Sequence, residues 1–95
     1  MKIRKTERFS RWLDRLKDPK AKAKVLVRIT RLSAGNPGDV KSVGKGVSEM
    51  RIPYGPGYRV YYVRQGDKLI ILLAGGSKKT QSKDIQTAIN LMENL

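Results

Sequence analysis

Cysteine and histidine are both missing from these 95 residues. Without cysteine there is no disulfide and no thiolate metal ligand. Without histidine the usual metal ligand and the usual neutral-pH acid/base are gone as well. No metal site and no cofactor are therefore expected. Long apolar runs are also missing. The longest, "LIILLA" from Leu69 to Ala74, is far short of the roughly 20 residues that cross a bilayer, and it reads as a buried strand. The start, "MKIRKTERFS", is basic but no apolar segment follows it, so it does not read as an export signal. A cytoplasmic location is expected. The length fits one domain spanning residues 1–95, large enough for a core without covalent staples.

Negative charge is scarce too. Only 8 Asp and Glu oppose 21 Lys and Arg, for a formal net charge of +13. Self-repulsion of that size works against a compact fold, and it points to a polyanionic partner. Nucleic acid fits best, and an acidic protein partner is compatible with it. A membrane surface fits poorly, because no basic helix carries a large exposed apolar face.

The periodicity divides the chain. "KIRK" is short and alternating, and reads as an edge strand with Ile3 turned inward. Phe9, Trp12, Leu13 and Leu16 follow at the spacing of one helical stripe, with Thr6 as N-cap. Arg8, Arg11 and Arg15 share another face of that helix. Asp18-Pro19 breaks it and starts a second helix, whose stripe is Ala21, Val25, Ile29 and Leu32. Lys20, Lys24, Arg28 and Arg31 lie on a different face, and Gly35 ends the helix. The short break predicts a helix hairpin. Residues 39–47, "DVKSVGKGV", read as a loop.

After that loop the period drops from 3.6 to 2. "VSEMRI" puts Ser48, Met50 and Ile52 on one face and Val47, Glu49 and Arg51 on the other. "GYRVYYVRQ" and "DKLIILLAG" form two further strands around the turn at Gln65-Gly66-Asp67, and "YGPG" joins the first two. The last strand is apolar on both faces, so both faces should be covered. Ile85, Ala88, Ile89 and Met92, with Leu95 nearby, mark a terminal helix. The expected fold is α+β: an N-terminal strand and helix hairpin packed on an antiparallel sheet, with a C-terminal helix.

Strand parity supplies the first candidate site. If the helix hairpin covers Met50 and Ile52, then Glu49 and Arg51 face the other way. Arg59 and Tyr61 on the next strand can join them. Guanidiniums take phosphate oxygens bidentately, and tyrosine rings can stack on bases. The bland alternative pairs one arginine with Glu49 across the strands, and one carboxylate is expected to satisfy only one of the two. A second candidate is "GGSKKTQ" (Gly75 to Gln81), where a strand runs through two glycines into a helix start and its backbone amides can face a phosphate. A plain strand-to-helix loop explains it equally well. It is not a Walker motif, and no paired carboxylates or Ser/His/Asp set appear.

"VSEMRI", "PGYRVYYV" and "ILLAGGSKKTQSKDI" together resemble the RelE/ParE toxin superfamily. "FSRWLDRLKD" and "GNPGDVKSVGKGVSEMRI" are similar to its HigB-like, phage Gp49-related addiction-module killers. The resemblance covers almost the whole chain. It implies a toxin neutralised by a co-encoded, DNA-binding, HigA-like antitoxin in a hetero-oligomer. It further implies an endoribonuclease (mRNA interferase) that cuts mRNA in the ribosome without a metal, leaving a 2′,3′-cyclic phosphate. ParE-type members share the fold and inhibit DNA gyrase instead, so fold alone does not choose the activity; a non-cleaving nucleic-acid binder is the third reading.

Residue by residue, the resemblance makes Arg59 a phosphate clamp and Arg51 a second one. Lys78 or Lys79 would meet the developing charge. Tyr61 and Tyr54 become acid/base or stacking candidates, and Lys45 and Gln81 join Arg51, Tyr54 and Arg59 as RNA contacts. Histidines used by some relatives have no counterpart here, which leaves the general base open between lysine and tyrosine. The reading needs Arg59 to share a reachable hollow with Arg51, Lys78 and Lys79.

Overall fold

The computed structural model describes residues 1–95. The first strand, β1 (Lys2–Lys5), runs directly into α1 (Glu7–Arg15). The Thr6 hydroxyl accepts from the Phe9 amide at 3.0 Å, filling one of the helix's orphan donors as its N-cap position predicts. Asp18 does the same for α2 (Pro19–Ser33), accepting from Lys20 at 2.9 Å with proline at the first helical position. At the far end Gly35 takes a φ of 90°. The Gly35 and Asn36 amides then return to the Leu32 and Arg31 carbonyls, the double closure of a Schellman motif.

Five strands form one sheet in the order β1-β5-β4-β3-β2. They are β2 (Val40–Gly44), β3 (Val47–Ile52), β4 (Tyr58–Gln65) and β5 (Leu69–Ser77), with β1 at the edge. A single 3-10 turn (Lys78–Thr80) leads into α3 (Gln81–Glu93). Two expectations are corrected here. Residues 39–47 are not a free loop, because Val40–Gly44 pairs antiparallel with β3 and tightens into a hairpin around Lys45. The sheet is also mixed, because β1 lies parallel to β5.

The sheet is covered on both sides, as the doubly apolar β5 requires. One face carries Met50, Ile52, Val60, Tyr62, Ile70 and Leu72 against Phe9, Leu13, Val25 and Leu32, with α1 over β5 and α2 over β3 and β4. On the other face Val47, Tyr61, Val63 and Leu73 meet Ala88, with Ile85, Ile89 and Met92 of α3 packed alongside. Leu95 takes no part and is 61% exposed. A bulge between Tyr61 and Tyr62 shifts the β4–β5 register. No helix is long and apolar enough to cross a membrane.

Candidate functional site

Alternation on β3 and β4 turns Glu49, Arg51, Arg59 and Tyr61 to the α3 face, opposite the α1/α2 core. The β3–β4 register then pairs Arg51 with Arg59 and Glu49 with Tyr61. Four side chains converge on one carboxylate. Arg51 Nε donates to Glu49 Oε1 at 3.1 Å. The Tyr61 hydroxyl and Gln81 Nε2 donate to Oε2 at 3.1 and 2.9 Å. Arg59 Nε lies 3.6 Å from the same Oε2. Glu49 has no solvent-accessible side-chain surface. Burial pushes its pKa up, but the hydrogen bonds from Gln81, Arg51 and Tyr61 and the Arg59 charge outweigh that, so the carboxyl sits below its ordinary value.

This arrangement corrects the expectation that one carboxylate serves only one arginine: Glu49 holds a different oxygen toward each. It also divides their roles. Arg51 is 35% exposed in its side chain, and its two Nη groups have no partner within the chain. Arg59 is only 11% exposed. Its Nη1 donates to the Gly57 carbonyl at 3.0 Å, and its buried Nε makes no hydrogen bond. Arg51 is therefore the guanidinium of the pair that is open to solvent. Arg59 stands behind it as a nearly buried charge rather than as the leading clamp, so the expected reachable hollow shared with Arg51, Lys78 and Lys79 is not met at Arg59 itself.

Tyr61 is corrected more fully. It is completely buried, so it cannot stack on a base. Burial, then the charge of Glu49, hold its phenol well above the ordinary tyrosine value.

The "YGPG" turn explains why the two glycines are needed. The Gly57 amide closes the turn onto the Tyr54 carbonyl at 3.0 Å. Gly57 has a φ of 78°, which strains any residue with a side chain, while a Cβ there would only reach ordinary contact with Arg59 Nη1 and Lys78 Cβ. Its carbonyl receives both Arg59 and the Lys78 amide, the latter at 2.8 Å. The turn thus brings Lys78 close to Arg59. Lys78 and Lys79 are both exposed.

Two sequence candidates lie elsewhere. Tyr54 is on the α2 side, where its hydroxyl donates to Asp18 at 2.9 Å beneath the Lys24 ammonium. That bond, ahead of burial, raises the Tyr54 pKa and lowers that of Asp18. Lys45 sits at the β2–β3 hairpin tip, beyond Val47, at the end of β3 remote from Arg51. Gln81 joins the cluster, but as a donor to Glu49 rather than as a free contact. Glu49 itself, the organiser of the site, was visible in sequence only through its parity with Arg51. No three carboxylate side chains cluster in the structure.

The comparisons with known proteins cover this whole arrangement. A protein of Haemophilus influenzae, named only "Uncharacterized protein", is 50% identical over 95 residues, which span all of this chain and 96% of that protein. The phage-derived Gp49-like family matches residues 11–93, from α1 to the end of α3 and every residue of the Glu49 cluster, and the chain belongs to that family.

Proposed function

We propose that this protein is the toxin of a type II toxin–antitoxin pair, a RelE/HigB-like endoribonuclease that cuts mRNA on the ribosome. The observation that carries this reading is the ratio of charges in the cluster. Two guanidiniums share one carboxylate, which leaves one positive charge uncompensated and both Nη groups of the part-exposed Arg51 without a partner. A fork of this kind matches two oxygens of a phosphodiester.

In the reaction the 2′-oxygen of a ribose attacks the adjacent phosphorus. A P–O2′ bond forms and the P–O5′ bond breaks, leaving a 2′,3′-cyclic phosphate and a 5′-hydroxyl. The proton leaves O2′, and another is delivered to O5′. Charge builds on the non-bridging oxygens, where Arg51 meets it directly and Arg59 adds its field from behind. Lys78 or Lys79 serves the leaving oxygen. Glu49 and Tyr61 are sealed and engaged with each other, so neither is the general base. An acidic, HigA-like antitoxin would cover this surface, as the charge of +13 invites.

One observation favours a second reading, ParE-like inhibition of DNA gyrase without cleavage: most of Arg59 and all of Tyr61 are withheld from solvent. The test is brief expression followed by primer-extension mapping of cellular mRNA. New 5′ ends within translated messages, absent with Arg51→Ala, support the ribonuclease. Growth arrest without new ends, together with inhibition of purified gyrase, replaces it with the second reading.

A further inference from the structure

A cleft of about 540 Å³ opens on the other side of the β5 end from the Glu49 cluster. β1 pairs only with Leu69 to Leu72, so β5 outruns it, and the edge of Gly75 to Ser77 is left to line this cleft. Arg8, Arg11 and Arg15 of α1 form one wall. They stand at i, i+3 and i+7, which puts three like charges along one side of a helix over about 10 Å. Structure does not use these charges. Only Arg11 has a carboxylate within 4 Å, Glu7 at 3.8 Å, and both groups are well exposed, where such a pair contributes little.

Trp12 and Tyr58 add an aromatic wall, with ring centroids 6.4 Å apart and edge to face. The indole lies directly on Gly75, where any side chain would collide with it. Across the cleft Asp84 packs on Gly76 and accepts from the Thr80 hydroxyl.

We propose that this cleft binds a single-stranded RNA segment, its phosphates on the three arginines and a base against Trp12 or Tyr58. The inference rests on the RNA-directed reading above and extends it to a second subsite. A cationic groove lined by aromatic side chains is the combination by which single strands are held without sequence preference, and here half-buried Trp12 and Tyr58 supply the rings. Asp84, which lines the cleft, favours RNA over an acidic peptide, since a carboxylate can accept from a ribose hydroxyl or a base amino group, whereas a glutamate side chain offers it no donor. The two sites adjoin. Gly76 is the register partner of Arg59, and the first turn of α3 sends Gln81 to Glu49 and Asp84 to the cleft. Ser77 and Thr80 line the cleft and flank Lys78 and Lys79 in the chain, so one strand can pass from one site to the other.

Trp12 is the chain's single tryptophan and lines the cleft, so its emission reports on events there. The experiment titrates an oligoribonucleotide of about eight residues, within the usual span of one single-strand site, into the intact protein. It follows Trp12 fluorescence at several salt concentrations, with circular dichroism to show that each variant is folded. Saturable quenching is expected. The Arg8→Ala/Arg15→Ala double variant should bind at least about tenfold more weakly. Its slope of log affinity against log salt should be shallower by about 1.4, because each single-strand phosphate that is no longer neutralised removes about 0.7.

Unchanged emission, or unchanged affinity in the double variant, overturns the proposal. So does a polyglutamate peptide that quenches as well as RNA, which would make the cleft a protein-docking site. Failure here is distinguishable from failure of the ribonuclease reading. New mRNA ends in cells with no quenching remove the cleft alone, whereas quenching with no new ends removes the nuclease and keeps the cleft.

Discussion

Arg51 and Arg59 stand directly opposite one another on β3 and β4, and Glu49 presents a separate carboxylate oxygen to each, at 3.1 and 3.6 Å. Like charges opposed across a strand pair are destabilising on their own. The pair persists because a fully buried carboxylate sits between the two charges and is itself satisfied by Tyr61 and Gln81. The cationic site is therefore also a structural element, and substitutions in it should affect stability and function together.

Glu49→Ala should cost about 3 kcal/mol, the lower end of the loss seen when one partner of a buried ion pair is removed. The lower end applies because Arg51 keeps its access to solvent. For a domain of this size that corresponds to a fall in melting temperature of about 12 °C or more. Thermal unfolding followed by circular dichroism checks it. Arg51→Ala should cost less than Glu49→Ala, because Tyr61 and Gln81 still hold the carboxylate. A Glu49 variant as stable as the wild type would mean that the buried charge is not coupled to the fold.

The same carboxylate sets an acid limit. Its pKa is lower in the folded chain than in the unfolded one, so the unfolded state binds the proton first. The stabilisation is complete above the unfolded glutamate value, about 4.3, and is lost as pH falls through the lower folded value. Urea midpoints measured from neutrality downward should fall in the wild type once pH drops below about 4.3. Glu49→Gln should start from a lower midpoint and lose less over that window. Equal losses in both proteins would assign the acid sensitivity to other carboxyls.

Tyr61 acts in the opposite direction. Its folded-state pKa lies above its unfolded one, so its contribution is full below the unfolded value, about 10, and is lost as pH rises toward the folded value. Phenolate absorbance of the four tyrosines should show at least one that does not ionise until the fold opens. Replacing Tyr61 by Phe should reduce the delayed signal by one phenol, leaving the contributions of Tyr54 and Tyr62, whose pKa values are raised as well.

Both helical stripes and the Arg51/Arg59 face were legible in the sequence because each is a local period: i, i+3, i+4 on α1 and α2, strict alternation on β3 and β4. Pairing is not local, and there the sequence said less. Val40–Gly44 contains two valines among Lys, Ser and Gly, too little alternation to announce a strand; it becomes one through its register with β3. The parallel docking of β1 on β5 joins segments far apart in the chain and leaves no pattern in either. The site shows the same division. Parity brought Glu49 and Arg51 together, but it could not say that one carboxylate reaches two guanidiniums. Tyr54 sits only five residues from Arg59, yet its ring turns to Asp18 on the opposite face of the sheet. In the sequence Arg8, Arg11 and Arg15 only share a helix face; that they line a cleft with β5 glycines and the start of α3 is visible only in the fold.

Those glycines should differ when substituted. At Gly75 a methyl group would meet the indole of Trp12, a rigid ring also packed on Phe9 with centroids 5.7 Å apart. At Gly76 it would meet the end of the Asp84 side chain, which can swing away by giving up its hydrogen bond from Thr80. Gly75→Ala should therefore cost about 1–3 kcal/mol by overpacking and shift the Trp12 emission. Gly76→Ala should cost less and leave that emission nearly unchanged. Denaturant unfolding with fluorescence detection measures both, and the reverse order would mean that α1 yields more easily than the first turn of α3.

Arg28 supplies the last expectation, because it fixes the backbone from which Arg51 projects. Its Nη1 donates to the Arg51 carbonyl, and its Nη2 reaches the Pro37 and Asp39 carbonyls at 3.1 and 3.3 Å. The Arg51 amide closes the same knot by donating to Asp39 at 2.9 Å. One planar fork thus ties α2 to the end of β3 and to the segment entering β2. A lysine carries the charge without the fork and cannot meet all three carbonyls in that geometry. Arg28→Lys should therefore lose most of what Arg28→Met loses, about 1.5–3 kcal/mol for hydrogen bonds made by a charged donor. On the proposed function both variants should also weaken phosphate binding at Arg51, although neither changes a group that would touch the ligand. Full stability in Arg28→Lys would show that charge alone suffices there, and that the three carbonyls find other donors.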